Sequence, residues 1–234
     1  MGRTRHKTDE NYVAFADIMT CLMIIFLFIA ISYIMEVFSS TFVKEEMYNT
    51  ITEQMIKELN KNDVRLDKDL SLKFFNNTKD SRDVLFETGE IKMTDNFKSK
   101  VNDIWPLYQN IITKDTFLNY ISEIRIEGHT DTLPPKNSNM SSYEYNLNLS
   151  SQRAQEVLAF IRAMPCYINL QETKKQRLQF LMTANGMSYS RVLNDSNQVA
   201  YLSDIKTISA QKSRRVEFRI VTSNQKLIEN LTKK

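Results

Sequence analysis

One carboxylic acid, Asp17, lies inside the most apolar stretch of the sequence. Residues 13–35 read VAFADIMTCLMIIFLFIAISYIM, and the uncharged run after the acid is long enough for a transmembrane helix. Thr20 and Cys21 follow at three and four positions, so a helix places them on the face of Asp17. Such an acid costs about 2.5–3.5 kcal/mol on insertion scales and commonly serves an ion pathway. The alternative is that Asp17 caps the helix at the membrane surface, although the residues just before it are apolar or interfacial.

The chemistry expected of Asp17 is ion binding, with Thr20 in a supporting role. Burial disfavours a charged carboxylate, so the acid could take up and release a proton. Its oxygens could alternatively bind a partly dehydrated Na⁺. One helix cannot form an ion pathway, so partner helices must shield the acid and supply a route. We therefore expect a membrane complex that transports H⁺ or Na⁺ and needs no cofactor.

A second group of polar residues lies far along the chain, at the end of a strand-like segment. Gly128-His129-Thr130-Asp131 is followed by Asn146 and then by LSSQRA, residues 149–154. This order and spacing resemble the OmpA-like peptidoglycan-binding domain, in which G-H-T-D precedes N-x-x-L-S-x-x-R-A. LFETGE (85–90) resembles the first turn of that family. SRRVEFRI (213–220) resembles its last strand, with Ser213 in place of the usual Asn. The resemblance covers about residues 70–221.

The resemblance implies a pocket for diaminopimelate, a zwitterion found in peptidoglycan stems. Asp131 would bind the ammonium, and the planar guanidinium of Arg153 would bind the carboxylate. Thr130 and Asn146 would line the pocket, and Arg215 would support it. The alternative is a structural ion pair between Asp131 and Arg153. These two residues are 22 positions apart, farther than in the plain outer-membrane members, so the extra loop residues could alter the pocket.

The sequence contains no pattern typical of an enzyme. We expect His129 to make a structural hydrogen bond, with a base or metal ligand as the alternative. The only other histidine, His6, lies before the apolar stretch, so no zinc site is predicted. Neither a nucleophile-elbow pattern nor a Gly-rich phosphate loop is present.

The charges that flank the apolar stretch predict its orientation. Basic residues precede it and acidic residues follow it: Arg3, Arg5, His6 and Lys7, then Glu36, Glu45 and Glu46. The positive-inside rule therefore predicts a single-pass protein of a bacterial inner membrane, with a cytoplasmic N-terminus and a periplasmic C-terminal domain. A cleaved signal peptide is the alternative, but the apolar run exceeds the usual core of about 7–15 residues and no clear A-x-A site follows.

A narrow apolar stripe continues beyond the membrane segment, with a spacing of mostly four residues. Its members are Phe38, Phe42, Met47, Ile51, Met55 and Leu59. Such a stripe could pair with a second copy in a coiled-coil-like neck, or it could lie on the chain's own domain. LNKNDVRLDKD (59–69) has the composition of a linker.

Strand and helix patterns then alternate, which predicts a sheet with helices on one face. The fold class is therefore a single N-terminal transmembrane helix plus an α+β OmpA-like domain of the MotB C-terminal type. The predicted strands are LSLKFF (70–75), DVLF (83–86), SEIRIE (122–127), LQFLMTAN (178–185) and RVEFRIV (215–221); the predicted helices are 92–112 and 150–164; and the predicted loops are 132–145 and 187–211. The predicted segments are a tail (1–11), a transmembrane helix (12–37), a neck helix and linker (38–69), the OmpA-like domain (70–221) and a C-terminal tail (222–234).

Net charge and cysteine content add two limits. The formal charge of +3 gives no general argument for nucleic-acid binding. Cys21 lies in the span, so Cys166 has no partner within the chain. In an oxidising compartment Cys166 would be either a buried thiol or half of a bridge between two copies.

Both halves together, YVAFADIMTCLMIIFLF followed by an OmpA-like domain, resemble the MotB class of stator proteins. The resemblance implies a homodimer inside a ring of five MotA-like or ZorA-like membrane subunits, anchored to peptidoglycan, with Asp17 as the ion-carrying residue. Flagellar members have a longer segment between span and domain. The short segment here is more similar to the ZorB family of the Zorya anti-phage defence system. A flagellar stator and a static membrane-to-peptidoglycan tether remain the alternatives.

Overall fold

The computed structural model describes residues 3–76, 83–133, 140–200 and 207–223. Residues 224–234 of the predicted C-terminal tail and parts of both predicted loops therefore lie outside the described residues, and Thr222, predicted to begin the tail, ends the last strand. The chain forms two compact units, Met1–Phe42 and Val43–Lys234. In chain order the elements are α1 (Arg3–Lys61), β1 (Val64–Leu66), β2 (Ser71–Phe75), α2 (Asp95–Ile112), α3 (Asp115–Leu118), β3 (Ile121–His129), α4 (Ser142–Ala163), α5 (Pro165–Ile168), α6 (Glu172–Leu181), β4 (Met182–Gly186), α7 (Ala210–Ser213) and β5 (Arg215–Thr222).

The first unit contains the apolar part of α1. Phe15–Met35 has a mean hydropathy of 2.6 and is long and apolar enough to cross a membrane. Its large apolar side chains are exposed, as expected for a segment that another medium or another subunit must cover. The predicted membrane helix is therefore present as a continuous helical segment.

The second unit begins with the last turns of α1, which belong to its hydrophobic core. Met47, Ile51, Met55 and Leu59 are at most 2% exposed. Their spacing of four places them on one face of the helix. The part of the stripe from residue 43 onward therefore lies on its own domain, which was one of the two alternatives. Phe38 and Phe42 are exposed in the first unit.

The region predicted to be a linker is instead ordered secondary structure. α1 continues to Lys61, whose Nζ lies 2.9 Å from Oδ2 of Asp103 on α2. β1 then pairs with β2 in an antiparallel hairpin. The turn between them contains Leu70 at a φ of 68°, and the side chain of Asp69 accepts a hydrogen bond from the hydroxyl of Ser71 at 2.6 Å. The prediction failed because residue type alone could not show that the hairpin pairs with the rest of the sheet.

The five strands form one mixed sheet in the order β1-β2-β5-β3-β4. β3 and β4 are parallel, and the other neighbours are antiparallel. One face carries the apolar core, where Phe97 and Trp105 of α2 contact Phe218 and its neighbour Phe74 in the sheet. This α+β architecture with helices on the apolar face confirms the predicted fold class.

Two glycines bring α4 unusually close to the sheet. A Cβ on Gly128 would overlap the carbonyl oxygen of Ser150, and a Cβ on Gly186 would overlap the side chain of Ser151. Both glycines lie in neighbouring parallel strands, in register with each other. Because neither glycine has a side chain, α4 can pack at this short distance from the end of β3.

Several element boundaries differ from the sequence predictions. DVLF is not a strand, because Thr94 binds its backbone through two hydrogen bonds and only Phe86 forms an isolated bridge. Leu178–Leu181 completes α6, so the predicted strand begins only at Met182. α4 begins at Ser142, eight residues earlier than predicted, because Ser141 and Glu144 form a reciprocal capping box.

Candidate functional site

Asp131 lies two residues after the end of β3 and is already bonded on both carboxylate oxygens. Oδ1 accepts a hydrogen bond from the backbone N–H of Leu133 at 3.0 Å. Oδ2 accepts one from Nη1 of Arg214, at 2.7 Å. The Asp131 side chain is only 8% exposed and that of Arg214 is 27% exposed, so this ion pair is largely shielded from water. The acid predicted to bind an ammonium therefore holds a guanidinium of its own chain.

Arg153 lies on α4 and is bonded elsewhere. Its Nε donates to the carbonyl of Glu90 at 2.8 Å, and its Nη2 donates to the carbonyl of Glu87 at 3.0 Å. The guanidinium also lies over the ring of Phe86, 4.8 Å from its centroid. Burial lowers the pKa of Arg153 to about 10, which leaves it charged at neutral pH. The structural ion pair considered for Asp131 and Arg153 is therefore formed by Arg214 in place of Arg153.

Thr130 and Asn146 lie beside the acid and are both buried. Asn146 donates from Nδ2 to the carbonyls of Leu133 and Ser142, at 3.0 and 2.9 Å. It thereby ties the start of α4 to the segment that follows Asp131. The backbone N–H of Thr130 donates to Ser188 at 2.9 Å, whereas its Oγ1 is buried without a hydrogen-bond partner in the described part of the chain.

A narrow crevice separates the two arginines. It encloses only about 10 Å³, less than a peptide side chain needs. It is lined by Asn76, Leu85, Phe86, Gly128, His129, Arg153, Arg214, Arg215 and Val216. This crevice is therefore too small for a ligand larger than water unless side chains move, and Asp131 does not line it.

Arg215 reaches the same crevice but is bonded to a different acid. Its Nε donates to Oε1 of Glu217 at 2.6 Å, and its other nitrogens donate to the carbonyls of Ser213 and Arg191. Both side chains are almost fully buried. Arg215 is thus positioned by the sheet and does not contact Asp131.

Glu217 belongs to a row of charged side chains on the sheet face opposite the apolar core. Lys73 lies 3.8 Å from its Oε1, and Arg219 lies 3.3 Å from its Oε2. Burial alone would raise the pKa of Glu217, but Arg215 and the neighbouring His129 and Lys73 lower it to about 2. Glu217 therefore stays ionised at neutral pH.

His129 is buried in this row. Its Nε2 lies 3.4 Å from Oε2 of Glu127 and 3.8 Å from Oε1 of Glu217. Neither ring nitrogen has a hydrogen-bond partner among the described residues, so the predicted structural hydrogen bond is not formed. Burial, reinforced by the charge of Arg215, lowers the pKa of His129 to about 4, so the ring is neutral at neutral pH.

The side chains of Glu127, His129 and Glu217 are of types that bind metals, and their ligand atoms lie within 4.8 Å of one another. The sequence offered no zinc pattern, because these residues come from two strands. Both carboxylates already face arginines, with Arg219 shared between them. A divalent cation would meet these positive charges, so the electrostatics favour a row of ion pairs over a metal site.

The membrane acid lies on α1. Asp17 is exposed in the isolated chain, and Thr20 donates its hydroxyl hydrogen to the carbonyl of Ala16 at 2.8 Å. The helix places Thr20 and Cys21 on the face of Asp17, as expected. Cys166, the other cysteine, is half-buried and unbridged, and burial raises the pKa of its thiol.

Arg214 is the site residue that the sequence predictions missed. The motif SRRVEFRI contains two adjacent arginines, and strand alternation sends neighbouring side chains to opposite faces. The side chains of Arg214 and Arg215 are therefore expected on opposite faces, with only Arg215 in the charged row. This alternation is the signal that could have identified Arg214 as a site residue.

Comparisons with known proteins agree with the residue patterns. No protein-family model matches the sequence. A curated Zorya protein ZorB from Escherichia coli strain Crooks is 28% identical to this chain, across 97% of the chain and 94% of the relative. A second Zorya protein ZorB, from another Escherichia coli strain, is 26% identical across 94% of the chain and 85% of the relative. Among solved structures, a MotB-like protein from Desulfovibrio vulgaris covers 77% of this chain and 94% of its own, with a TM-score of 0.46 and 18% identity. Because both ZorB relatives match nearly the entire chain, they confirm the family resemblance that the residue patterns predict.

Proposed function

We propose that this chain is the peptidoglycan-anchored subunit of an ion-driven motor in a bacterial inner membrane, acting in anti-phage defence. Two copies would sit within a pentamer of MotA-like or ZorA-like subunits. The N-terminus would lie in the cytoplasm and the second unit in the periplasm. The observation that carries the proposal is the combination, in one chain, of an acid inside an apolar span and a compact domain with an Asp/Arg site. The similarity to ZorB supports the defence role.

The ion-binding role rests on Asp17. The 18 residues that follow it contain no charge, so no residue of the span itself can neutralise the acid. A carboxyl group held among apolar helices is stable when it is protonated or bound to a cation. Exchange of that ion through a path formed with partner helices would make Asp17 the residue that couples ion flow to movement.

The first experiment is Asp17→Asn, which keeps the size of the side chain and removes its ionisation. We expect assembly with the membrane partner and binding to sacculi to survive, while protection against phage infection is lost. Asp115→Asn, at an acid whose side chain is 87% exposed in the second unit, is the matched control and should keep protection. The measurements are plaque counts and co-purification of the partner. Full protection by the Asp17 variant would refute the ion-binding role and leave a static tether as the function.

The anchoring role rests on the residues around Asp131 and Arg153. We expect Asp131→Asn to weaken pull-down of the full chain by isolated sacculi, because the acid would no longer carry the charge that attracts an ammonium. Asp115→Asn, at the acid whose side chain is 87% exposed, is the control for a general loss of negative charge and should keep the pull-down. Equal pull-down of the wild type and the Asp131 variant would contradict the assignment of this pocket.

A flagellar stator is the remaining alternative, and its readout is swimming motility. The proposal gives the chain no catalytic role. Its working parts are an ion-binding carboxyl group and an anchoring pocket.

A further inference from the structure

The first strand of the sheet, β1, has no partner strand on its outer side among the described residues. Hydrogen-bonded pairs alternate with non-bonded pairs along an antiparallel ladder. The backbone N–H of Asp67 donates to the carbonyl of Ser71 at 2.9 Å, so Arg65, two residues earlier, is the residue of β1 that is bonded to β2. The N–H and C=O groups of Val64 and Leu66 therefore point away from β2. The outer edge of β1 thus offers two donors and two acceptors that no described residue binds.

This outer edge lines a groove that encloses about 540 Å³, within the range of about 300–1,000 Å³ that is typical of ligand pockets. All three residues of β1 line the groove, and the last turns of α1 contribute Ile56 and Leu59 to it. Unpaired backbone groups at a sheet edge favour an extended chain as the occupant, because a strand laid along the edge satisfies them.

The side chains of β1 alternate between the apolar and the polar face of the sheet. Val64 is only 6% exposed, and Leu66 packs against the hydrophobic core. Ile56 is 42% exposed, so the groove has apolar surface that is not yet covered. A strand added beside β1 would place alternate side chains next to these residues, and apolar side chains fit there.

The side chain between these two, Arg65, lies on the polar face and is 48% exposed. Its cross-strand neighbour is Lys73, and both cations contact the single carboxylate of Asp67, at 2.6 and 2.7 Å. Lys212 lines the groove as well. This excess of positive charge favours an acid directly opposite Arg65 on the added strand. Asp63 also lines the groove, which favours one acid over a run of acids.

We propose that the groove beside β1 binds an extended segment of another protein, which joins the sheet as a further strand antiparallel to β1. The segment has one acidic residue flanked by two apolar residues. The backbone of the flanking residues bonds to Val64 and Leu66, and the acid meets Arg65. A second copy of this chain is a poor occupant, because β1 paired with itself about a twofold axis would place Arg65 opposite Arg65. This binding site does not depend on the proposed anchoring.

The test uses the full chain in detergent micelles and two synthetic peptides. The probe is the fluorescein-labelled pentapeptide threonyl-valyl-glutamyl-valyl-threonine amide, and the matched peptide has lysine in place of glutamate. In fluorescence polarisation, the wild type should bind the glutamate peptide about fivefold more tightly than the lysine peptide. Arg65→Glu should reverse this preference. Arg162→Glu, at an exposed arginine of α4 that does not line the groove, should keep it.

Leu66→Pro tests the backbone bonds separately. Proline removes the outward N–H of residue 66, and the bonds between β1 and β2 remain because that N–H is not part of their ladder. The glutamate peptide should bind about fivefold more weakly, while the fluorescence of the buried Trp105 should report a folded second unit. If Leu66→Pro does not fold, a glutamate peptide methylated on both valine nitrogens replaces it. That peptide lacks the donors for β1 and should bind the wild type about fivefold more weakly.

Three results would overturn the proposal: no binding of either peptide by the wild type, equal affinities of the wild type for the two peptides, or an unchanged affinity after loss of the backbone donors. Light scattering of the protein in micelles tests the other occupant. If Leu66→Pro turns a dimer into a monomer, the groove holds a second copy of the chain and the proposal is wrong.

Discussion

Mild acid should destabilise the second unit of this chain through one side chain, His129. The ring is fully buried, and burial together with Arg215 lowers its pKa from an ordinary 6.5 to about 4. Between these two values the unfolded chain binds a proton that the folded chain excludes. Stability is therefore highest above about pH 6.5 and falls as the pH drops toward 4.

The size of the effect follows from the two pKa values. Proton linkage at one site with those values predicts a loss of about 2 kcal/mol in the free energy of unfolding between pH 7 and pH 5. Glu217 adds little in this range, because its pKa falls from 4.5 to about 2 and its stabilising charge is lost only below pH 4.5. The interval from pH 7 to pH 5 thus isolates the histidine.

The assay is urea denaturation of the full chain in detergent micelles, at pH 7 and at pH 5. Trp105 is the only tryptophan and lies in the core of the second unit, so its fluorescence reports unfolding of that unit without interference from the membrane segment. The difference between the two unfolding free energies is the quantity to compare, because it cancels any pH-independent cost of a mutation.

His129→Gln removes the titrating ring and should reduce the pH 7 to pH 5 difference to a few tenths of a kcal/mol, by the same linkage. His6→Gln is the matched control, since His6 is the only other histidine, and it should keep the full difference. A difference of the wild-type size in His129→Gln would refute the reasoning. Equal stability of the wild type at both pH values would refute it as well.

Two further predictions test the packing that positions the site. Gly128→Ala should cost about 1–3 kcal/mol of stability and should also weaken binding to sacculi. Both effects are expected because the new methyl group must push α4 and its Arg153 away from the sheet. An unchanged urea midpoint would contradict this close approach. Ile51→Ala should cost about 2–5 kcal/mol, because the side chain is fully buried. Phe42→Ala, at an exposed position in the first unit, should leave the Trp105 transition unchanged; equal effects of these two variants would contradict the placement of residue 51 in the core.

Much of the fold could be predicted because its signals are local. The apolar run, the alternation in RVEFRIV and the helical spacing of 95–112 are each complete within one segment. The errors arose where contacts between distant parts of the chain determine which element forms or which surface covers it. DVLF has the residue types of a strand, yet its backbone is bound by Thr94. The stripe of α1 could not show whether a second copy or its own domain covers it.

The site was predictable in composition but not in pairing. The motifs placed Asp131, Thr130 and Asn146 side by side, as the structure has them. The sequence could not show which arginine meets the acid, because Arg153 and Arg214 come from different elements that reach one crevice. The buried row of His129, Glu127 and Glu217 was hidden for the same reason, since cross-strand register brings these residues together.

Asp17 and Asp131 differ in how their charges can be neutralised. This difference indicates which proposed roles the chain could perform alone and which need partner subunits. Asp17 is followed by 18 uncharged residues, so its neutralisation must come from an ion or from another subunit. Asp131 is neutralised by Arg214 within the chain, so its charge is balanced without another subunit. A single copy therefore holds the charged residues of the proposed anchoring site but only one part of the proposed ion pathway. Loss of partner subunits should for this reason abolish ion-dependent function without affecting the anchoring pocket.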